Sequence, residues 1–294
     1  MQFLYYTIML YRNLRTYLGP VKAVILDWSG TVSDKYVIAP AVVFRDVFAS
    51  KGITVSMKEA RAPMGLRKDL HIKAMLMDNT RIHNAWTKRF GSPPCDIDVQ
   101  ALFEDFVPLQ LACLKNYGEI IPGAAEAIET MRKEYDIKIG STTGFTRPMV
   151  DILEEEANKQ GIFFDCTVAG DEVTTGFRPT PHMVYKNLDL LGIHPISSVV
   201  KVDDTIGGVG EGLHAGCWAV GVSKYSNYMN IDSLDEANTI SEKALIARNK
   251  ISKKKLLDAG AHYVVDSLAE LPEIIDIINC KLQRGETPQS QPII

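Results

Sequence analysis

The run Ala23-Val24-Ile25-Leu26 leads straight into Asp27, and Val199, Val200 and Val202 lead into Asp203-Asp204. Between them in sequence lie the hydroxyl cluster Ser141-Thr142-Thr143, followed by Gly144, and the pair Arg178-Pro179. A carboxylate at the end of a buried strand can attack phosphorus, ligate a metal, or do both. It can equally be a helix N-cap or a turn residue. Two adjacent acids repel, and are more easily kept where a cation offsets them. If they converge at one sheet edge, Asp27 and Asp204 make a hard-oxygen site suited to Mg²⁺. Thr143 and Arg178 would then hold phosphoryl oxygens. After Asp27, the residues Ser29, Gly30 and Thr31 are expected to turn the chain and present backbone N–H groups to an anion. Alone, each cluster has a plain structural explanation, such as a cap or a solvated arginine; together they point to phosphoryl transfer.

Those positions matter only if the elements around them bring them together. The pattern predicts strands at 23–26, 137–141, 163–169, 198–202, 217–222 and 262–265, separated by helices at 123–134, 147–160, 181–191, 206–215, 241–259 and 268–282. Strands alternating with helices of this length imply an α/β fold, a doubly wound parallel sheet with right-handed crossovers. Such a sheet delivers strand C-termini to one ligand-binding crevice. After Asp27, however, no second buried strand appears for over a hundred residues. Helical patterns fill the gap, at 41–51, 57–62, 68–77, 81–90 and 98–117, with Pro93-Pro94 breaking the run between the last two. A helical module of roughly 80 residues is a plausible small domain. The expected organisation is an N-terminal extension at 1–20, a core at 21–36 and 121–282, a helical cap at 37–120 inserted after the first strand, and a disordered tail at 283–294.

Composition narrows the class. The chain has 294 residues, 46% hydrophobic and 23% charged, ample for a large core. A net charge of -4 gives no sign of a nucleic-acid partner. The apolar run from Phe3 to Tyr11 is too short to span a bilayer, and no charged region precedes it as in a secretory signal. Cys95, Cys113, Cys166, Cys217 and Cys280 are scattered with no CxxC spacing, so neither a disulfide framework nor a zinc site is suggested. A reducing, cytoplasmic setting is expected.

With its motifs in this order, the chain resembles the haloacid dehalogenase superfamily. There an Asp nucleophile follows the first strand, Ser or Thr the second, Lys or Arg precedes the fourth, and acidic metal ligands follow it. The insertion after Asp27 resembles that superfamily's first type of cap. Two departures stand out. Phosphatases and mutases of the superfamily usually carry a general acid two residues after the nucleophile, and this chain has Ser29, which has no useful acidity near neutral pH. The fourth motif often has another Asp four or five residues on, where this chain has Gly207, Gly208 and Val209.

The cap offers a way round the missing acid. Lys68, in the stretch Pro63-Met64-Gly65-Leu66-Arg67-Lys68-Asp69-Leu70-His71, would form a Schiff base with a carbonyl if part of it is deprotonated. His71 lies on the same helical face and would move protons. Taken alone, a lysine at a helix start is usually solvated. The wider stretches Asp27-Trp28-Ser29-Gly30-Thr31, Ala62 to His71, Lys138 to Gly144, and Arg178-Pro179 with Tyr185-Lys186-Asn187 together resemble the phosphonoacetaldehyde hydrolase family. The resemblance implies a Schiff base on Lys68, a proton shuttle at His71, and Mg²⁺ on Asp27, the Ser29 backbone carbonyl and Asp204. It also implies substrate contacts at Met64, Gly65, Thr143 and Arg178, a small phosphonate substrate and a homodimer through the cap helices. That family typically has Ala at position 29, Gly at 203 and an aromatic hydroxyl at 145, where this chain has Ser29, Asp203 and Phe145. The alternatives are a phosphatase or mutase for another small substrate, and a non-catalytic binding protein on the same fold.

Overall fold

The computed structural model describes residues 16–175 and 177–291. The apolar N-terminal run lies outside the described residues. The strands are β1 (Ala23–Leu26), β2 (Lys138–Thr142), β3 (Cys166–Val168), β4 (Val199–Asp203), β5 (Trp218–Val222) and β6 (Tyr263–Val265). They form one parallel sheet in the order β3-β2-β1-β4-β5-β6, the expected doubly wound arrangement. β1, β4 and β5 are buried along their whole length, which is why β1 and β5 read as apolar runs and β4 as a valine run broken only by Lys201 before its terminal Asp203. Leu26 pairs with Ser141 on one side and Val202 on the other, so the residues just beyond these three strands emerge side by side. The sheet order reverses direction at β1, the switch point where open α/β sheets bind ligands.

Between β1 and β2 the chain is helical: α1 (Ile38–Ser50), α2 (Met57–Arg61), α3 (Lys68–Lys73), α4 (Thr80–Phe90) and α5 (Asp96–Leu114). α3 continues as a π turn over Ala74–Asp78. Local chemistry sets several of these starts. Ser56 and Glu59 form a capping box at α2, and the Asn79 side chain accepts from Ile82 N–H at α4. Phe44 of α1 stacks on Phe106 of α5 with ring centroids 4.5 Å apart, and both are fully buried. One continuous apolar cluster runs from these rings to Trp28, Val200 and Trp218 of the sheet.

The remaining helices are α6 (Ala124–Tyr135), α7 (Arg147–Lys159), α8 (His182–Leu191), α9 (Ile206–Ala215), α10 (Leu234–Thr239), α11 (Glu242–Asp258) and α12 (Leu271–Gln283). α10 has no counterpart among the expected elements. β3 is shorter than expected: its pairing with β2 begins only at Cys166, and Phe163 is exposed. The tail is corrected more fully. Residues 284–291 are not disordered: Pro288–Ser290 forms a 3-10 turn, Pro288 is buried, and its carbonyl meets His262 Nε2 at 2.9 Å. A polar composition did not reveal those contacts.

The link from β1 into the helical segment is conformationally costly. Asp34, Tyr36 and Val37 all have positive φ (52°, 69° and 55°), unusual for any side chain and most of all for β-branched valine. Neighbouring bonds hold the link. Asp34 Oδ1 accepts from the Ile38 and Ala39 N–H groups at 3.0 and 3.2 Å, and Tyr36 N–H donates to Tyr225 O at 2.7 Å.

Because Phe106 belongs to the shared apolar cluster, Phe106→Ala is expected to destabilise the whole protein by about 3–5 kcal/mol. The check is the urea midpoint followed by both tryptophan fluorescence and circular dichroism. Two separated transitions would mean that the helical segment and the sheet do not share one core.

Candidate active site

The site begins with Asp27, held at the end of β1 by its N–H donating to Val202 O at 3.0 Å. Trp28 turns inward, and its indole N–H donates to Ser141 Oγ, which in turn donates to Thr167 Oγ1. Gly30, at φ +80°, is where two loops press together: a Cβ there would stand 2.6 Å from Asp204 Oδ2. Glycine is therefore required on two counts, conformation and space. The expectation that Gly30 and Thr31 present N–H groups to an anion is corrected. Gly30 N–H donates to Ser33 O and Thr31 N–H to Trp28 O, closing the turn on itself.

The hydroxyl cluster after β2 divides its labour. Ser141 supports Trp28, Thr142 Oγ1 donates to Glu211 Oε2 at 3.0 Å, and Thr143, almost fully buried, lines the cleft. Arg178 is buried to 4% exposure and meets four residues. Its guanidinium donates to Thr142 O at 2.7 Å and to Glu211 Oε2 at 3.0 Å. It also pairs with Asp27 Oδ1 at 2.8 Å and Asp203 Oδ2 at 3.2 Å. Lys201, fully buried, adds a second cation 2.9 Å from Asp203 Oδ2. Burial works against the charge on Asp203, but Arg178 and Lys201 outweigh it and hold that carboxyl below the usual range.

Asp204 is placed differently. Its Oδ2 accepts from Asn227 N–H at 2.7 Å, and its Oδ1, although buried, has no hydrogen-bond partner among the described residues. Burial, then the nearby charges of Asp203 and Asp27, push its carboxyl well above the usual range. Burial, only partly opposed by Arg178, raises Asp27 too. Asp27, Asp203 and Asp204 each offer an oxygen within 4.8 Å of the others. Both oxygens of Asp203 are already engaged, by Thr205, Lys201 and Arg178. A hard divalent cation fits Asp27 and the orphaned oxygen of Asp204, and would remove the like-charge repulsion between them.

The helical segment closes the cleft from above. Gly65, at φ +100°, lies so close to the core that a Cβ would stand 2.7 Å from Thr205 Oγ1. A Cβ on Gly144 would likewise stand 2.6 Å from Leu66 O. Arg61 anchors this contact. Its guanidinium donates to Tyr36 O at 2.6 Å, to Asn227 Oδ1 at 3.1 Å and to Ile231 O, and it pairs with Asp232 at 3.1 Å.

Lys68, at the first turn of α3, is 5% exposed and forms no ion pair among the described residues. Its Nζ stands 4.2 Å from the centre of the Phe145 ring and 5.8 Å from that of Phe44. Burial brings its amine down to about 8, against an opposing pull from Asp27. His71 is fully buried behind the cleft, stacked on Phe44 at 3.7 Å. Its Nε2 lies 2.8 Å from Ala60 O, which fixes the tautomer with the proton on Nε2, and Nδ1 has no partner among the described residues. Burial and then Lys68 keep it neutral, well below the usual histidine range.

Of the residues singled out from the sequence, Asp27, Ser29, Thr143, Arg178 and Asp204 of the core line one cleft. Met64, Gly65 and Lys68 line it from the cap side. His71 is not among its lining residues. Sequence reasoning missed Glu211, Lys201, Asn227 and Arg61. Glu211 left a signal, as the one acid in an otherwise glycine-rich apolar helix; a backbone donor such as Asn227 leaves none.

A fold of this kind with carboxylates at the ends of β1 and β4 defines a class, and comparison with known proteins agrees. A family model described as haloacid dehalogenase-like hydrolase matches residues 21–216. Members of that class generally use a divalent metal. A phosphonoacetaldehyde hydrolase from Nitratidesulfovibrio vulgaris is 40% identical over 93% of this chain and 96% of its own. A bifunctional phosphonoacetaldehyde hydrolase/aminoethylphosphonate transaminase from Clostridioides difficile is 42% identical over 95% of this chain, which spans 44% of that protein's length. A solved phosphonoacetaldehyde hydrolase-like protein from Oleispira antarctica superposes with a TM-score of 0.89 at 37% identity, covering 93% of this chain and 98% of its own. The chain belongs to the phosphonoacetaldehyde hydrolase family within the haloacid dehalogenase-like hydrolases. No helix among the described residues is long and apolar enough to cross a membrane.

The lowered Lys68 amine has a consequence for stability. Below about pH 8 both folded and unfolded chains carry its proton, and the folded state bears the full cost of burying the charge. Between about 8 and 10.5 the folded state has lost the proton and the unfolded state keeps it, so the parent's stability rises with pH through that window. Lys68→Met is therefore expected to melt above the parent at pH 7, with the gap closing towards pH 10. A variant that melts below the parent at pH 7 would mean that Lys68 contacts outweigh the cost of burial.

Proposed function

We propose that this chain hydrolyses the P–C bond of phosphonoacetaldehyde to acetaldehyde and phosphate, through an imine on Lys68 and an aspartyl phosphate on Asp27. The observation that carries this reading is a buried lysine with a lowered amine in the same cleft as a strand-end aspartate, with Ser29 at the position of the usual acid. Only the deprotonated amine is a nucleophile, and at about 8 a useful fraction is available near neutral pH. Lys68 adds to the aldehyde carbon, and loss of water gives the imine. Once protonated, the imine draws electrons, so the P–C bonding pair moves into an enamine. Asp27 attacks phosphorus from the opposite side and becomes the acyl phosphate.

Arg178 neutralises charge on the transferred group, held in direction by Thr142 and Glu211. Thr143 offers its hydroxyl to a phosphonyl oxygen, and Met64 and Gly65 close over the small substrate. His71 moves protons at Lys68, a role supported by its neutral ring and unpartnered Nδ1. The enamine is protonated on carbon, water releases acetaldehyde from the imine, and a second water cleaves the acyl phosphate to regenerate Asp27. Asp27, Asp204 and the Ser29 backbone carbonyl would hold Mg²⁺, which supplies positive charge to the phosphonyl oxygens when bound. The chain works as a cytoplasmic homodimer joined through the cap helices, where Phe90, Ile97 and Leu109 are exposed apolar side chains on α4 and α5.

Borohydride added to a mixture of the protein and phosphonoacetaldehyde is expected to leave a reduced adduct on Lys68, mapped by mass spectrometry, with acetaldehyde and phosphate released in the unreduced control. No adduct and no acetaldehyde would sink the reading. Turnover of p-nitrophenyl phosphate that survives Lys68→Ala would point instead to a phosphatase. The dimer is tested separately: light scattering should give twice the 32.6 kDa chain mass, with Ile97→Asp shifting it towards one. A parent protein that is monomeric at micromolar concentration would overturn the dimer alone.

A further inference from the structure

Arg67, the neighbour of Lys68, is not among the residues that line the cleft. It is the N-cap residue of α3, and its carbonyl accepts from His71 N–H at 2.8 Å. Its side chain runs across the core instead. The stretch from its Cα to its Cγ lies against two glycines, one after β2 and one after β3. A Cβ on Gly144 would stand 3.5 Å from Arg67 Cα, and one on Gly170 would stand 3.3 Å from Arg67 Cγ. Beyond these glycines the guanidinium carbon stands 3.6 Å from the centre of the Phe177 ring. Phe177 packs on Val168, Val173 and Met183, and it directly precedes Arg178. Asp69 holds the same guanidinium by its edge, through Nε to Oδ1 and Nη2 to Oδ2, both at 2.5 Å, which leaves the flat face free to stack. Asp69 also offsets the charge of a third cation beside two, Lys68 and Arg178, that already repel.

We propose that Arg67 is a positioning residue for P–C cleavage: stacked on Phe177, it clamps the Lys68 end of α3 to the loop that carries Arg178, and so sets the reach from the amine to the phosphonyl contacts. The inference rests on the reading of Lys68 as the imine-forming amine. Once the aldehyde is joined to Lys68, the substrate hangs from the helical segment, while Asp27, Thr143 and Arg178 belong to the core. In-line attack then depends on how the two halves are set against each other, and a misplacement of about 1 Å costs on the order of 100-fold. Arg67 sits where that setting is decided. It is bonded to Lys68, it lies against the glycine that follows Thr143, and it stacks on the residue that precedes Arg178.

The test compares Arg67→Met, Phe177→Leu, the two combined, and Phe177→Trp in the full-length chain. Methionine keeps a stem to lie against the glycines and removes the planar cation. Borohydride trapping on Lys68 reports imine formation, and phosphate release reports the step that needs the core. Arg67→Met and Phe177→Leu are each expected to keep the adduct yield within about twofold and to lower kcat about 5–30-fold, the equivalent of one partly desolvated cation–π contact, with a smaller change in KM. The combined variant is expected to be no slower than the slower single, since both remove one contact, and Phe177→Trp to recover most of the loss. Parental kcat in Arg67→Met, losses that multiply in the combined variant, or an adduct yield that falls as far as phosphate release overturns the clamp. If Phe177→Leu fails to fold, Arg67→Met and Phe177→Trp decide alone: loss with the first and retention with the second support the clamp, and any other pair of results overturns it. A parent that leaves no adduct counts against the imine reading and not the clamp. The clamp is then judged by acetylation of Lys68 with acetic anhydride: a rate raised about fivefold or more in Arg67→Met supports it, and a smaller change overturns it.

Discussion

Arg178 is the interaction on which the rest of the site depends. Four carboxylates, those of Asp27, Asp203, Asp204 and Glu211, are buried with it, as are the amines of Lys201 and Lys68. Formal charges of four minus and three plus leave the cluster one negative charge. Burying such a set is expensive unless each charge is paired and hydrogen-bonded. Arg178 meets most of that demand by touching three of the four acids at once. Asp204, the one it does not touch, keeps an unpartnered oxygen and a carboxyl pushed well above its usual range. A dication turns the balance to one positive, and a doubly charged phosphonate turns it back to one negative. Metal and substrate thus each correct an imbalance that the other leaves, which favours their binding together.

The helical segment makes this electrostatic arrangement useful by drying it. Phe44 and Phe145 flank Lys68, Gly65 lets the backbone close onto the Thr205 side chain, and Gly144 lets it meet the Leu66 carbonyl, where side chains would hold the halves apart. Arg61 then locks the contact, and through Asn227 it reaches the residue whose N–H donates to Asp204. The same closeness that excludes water lowers the Lys68 amine, as the proposed imine chemistry requires. The positive φ values at Asp34, Tyr36 and Val37 mark where the chain bears the conformational cost of this closure.

The sheet and the strand-end acids were legible because they follow from burial. An unbroken apolar run ending in a carboxylate has few places to be except a central strand with its tip at the crevice. What stayed hidden depends on which partner a polar group finds. The cluster Ser141-Thr142-Thr143 reads as three similar hydroxyls, yet only Thr143, just past the end of β2, lines the cleft, while Ser141 is taken up by Trp28 and Thr167 and Thr142 by Glu211. Lys201 reads as a stray lysine in a valine strand, although its spacing from Asp203 puts both on one face. The turn after Asp27 resembled an anion nest because sequence shows where glycine permits a turn, not which carbonyls its N–H groups meet. His71 was expected at the cleft and is found behind it, since helical spacing from Lys68 sets the face of α3 and not the depth of each residue beneath it.

The absent acid at position 29 becomes coherent once the leaving group is considered. An alkoxide leaving oxygen needs a proton as its bond to phosphorus breaks, and a serine hydroxyl is far too weakly acidic to give one near neutral pH. A carbon leaving group cannot be helped in the same way, because the electrons arrive on carbon. They need a sink two bonds away, and a protonated imine provides one. The catalytic requirement therefore shifts from an acid beside the nucleophile to an amine on the opposite wall, dry enough to attack a carbonyl and close enough to a cleft of mixed charge to be protonated afterwards as an imine. Lys68 meets both conditions in one position, with burial lowering the free amine and Asp27 favouring the cation. In the proposed mechanism Ser29 and Lys68 are in this sense one adaptation, divided between the two halves of the molecule.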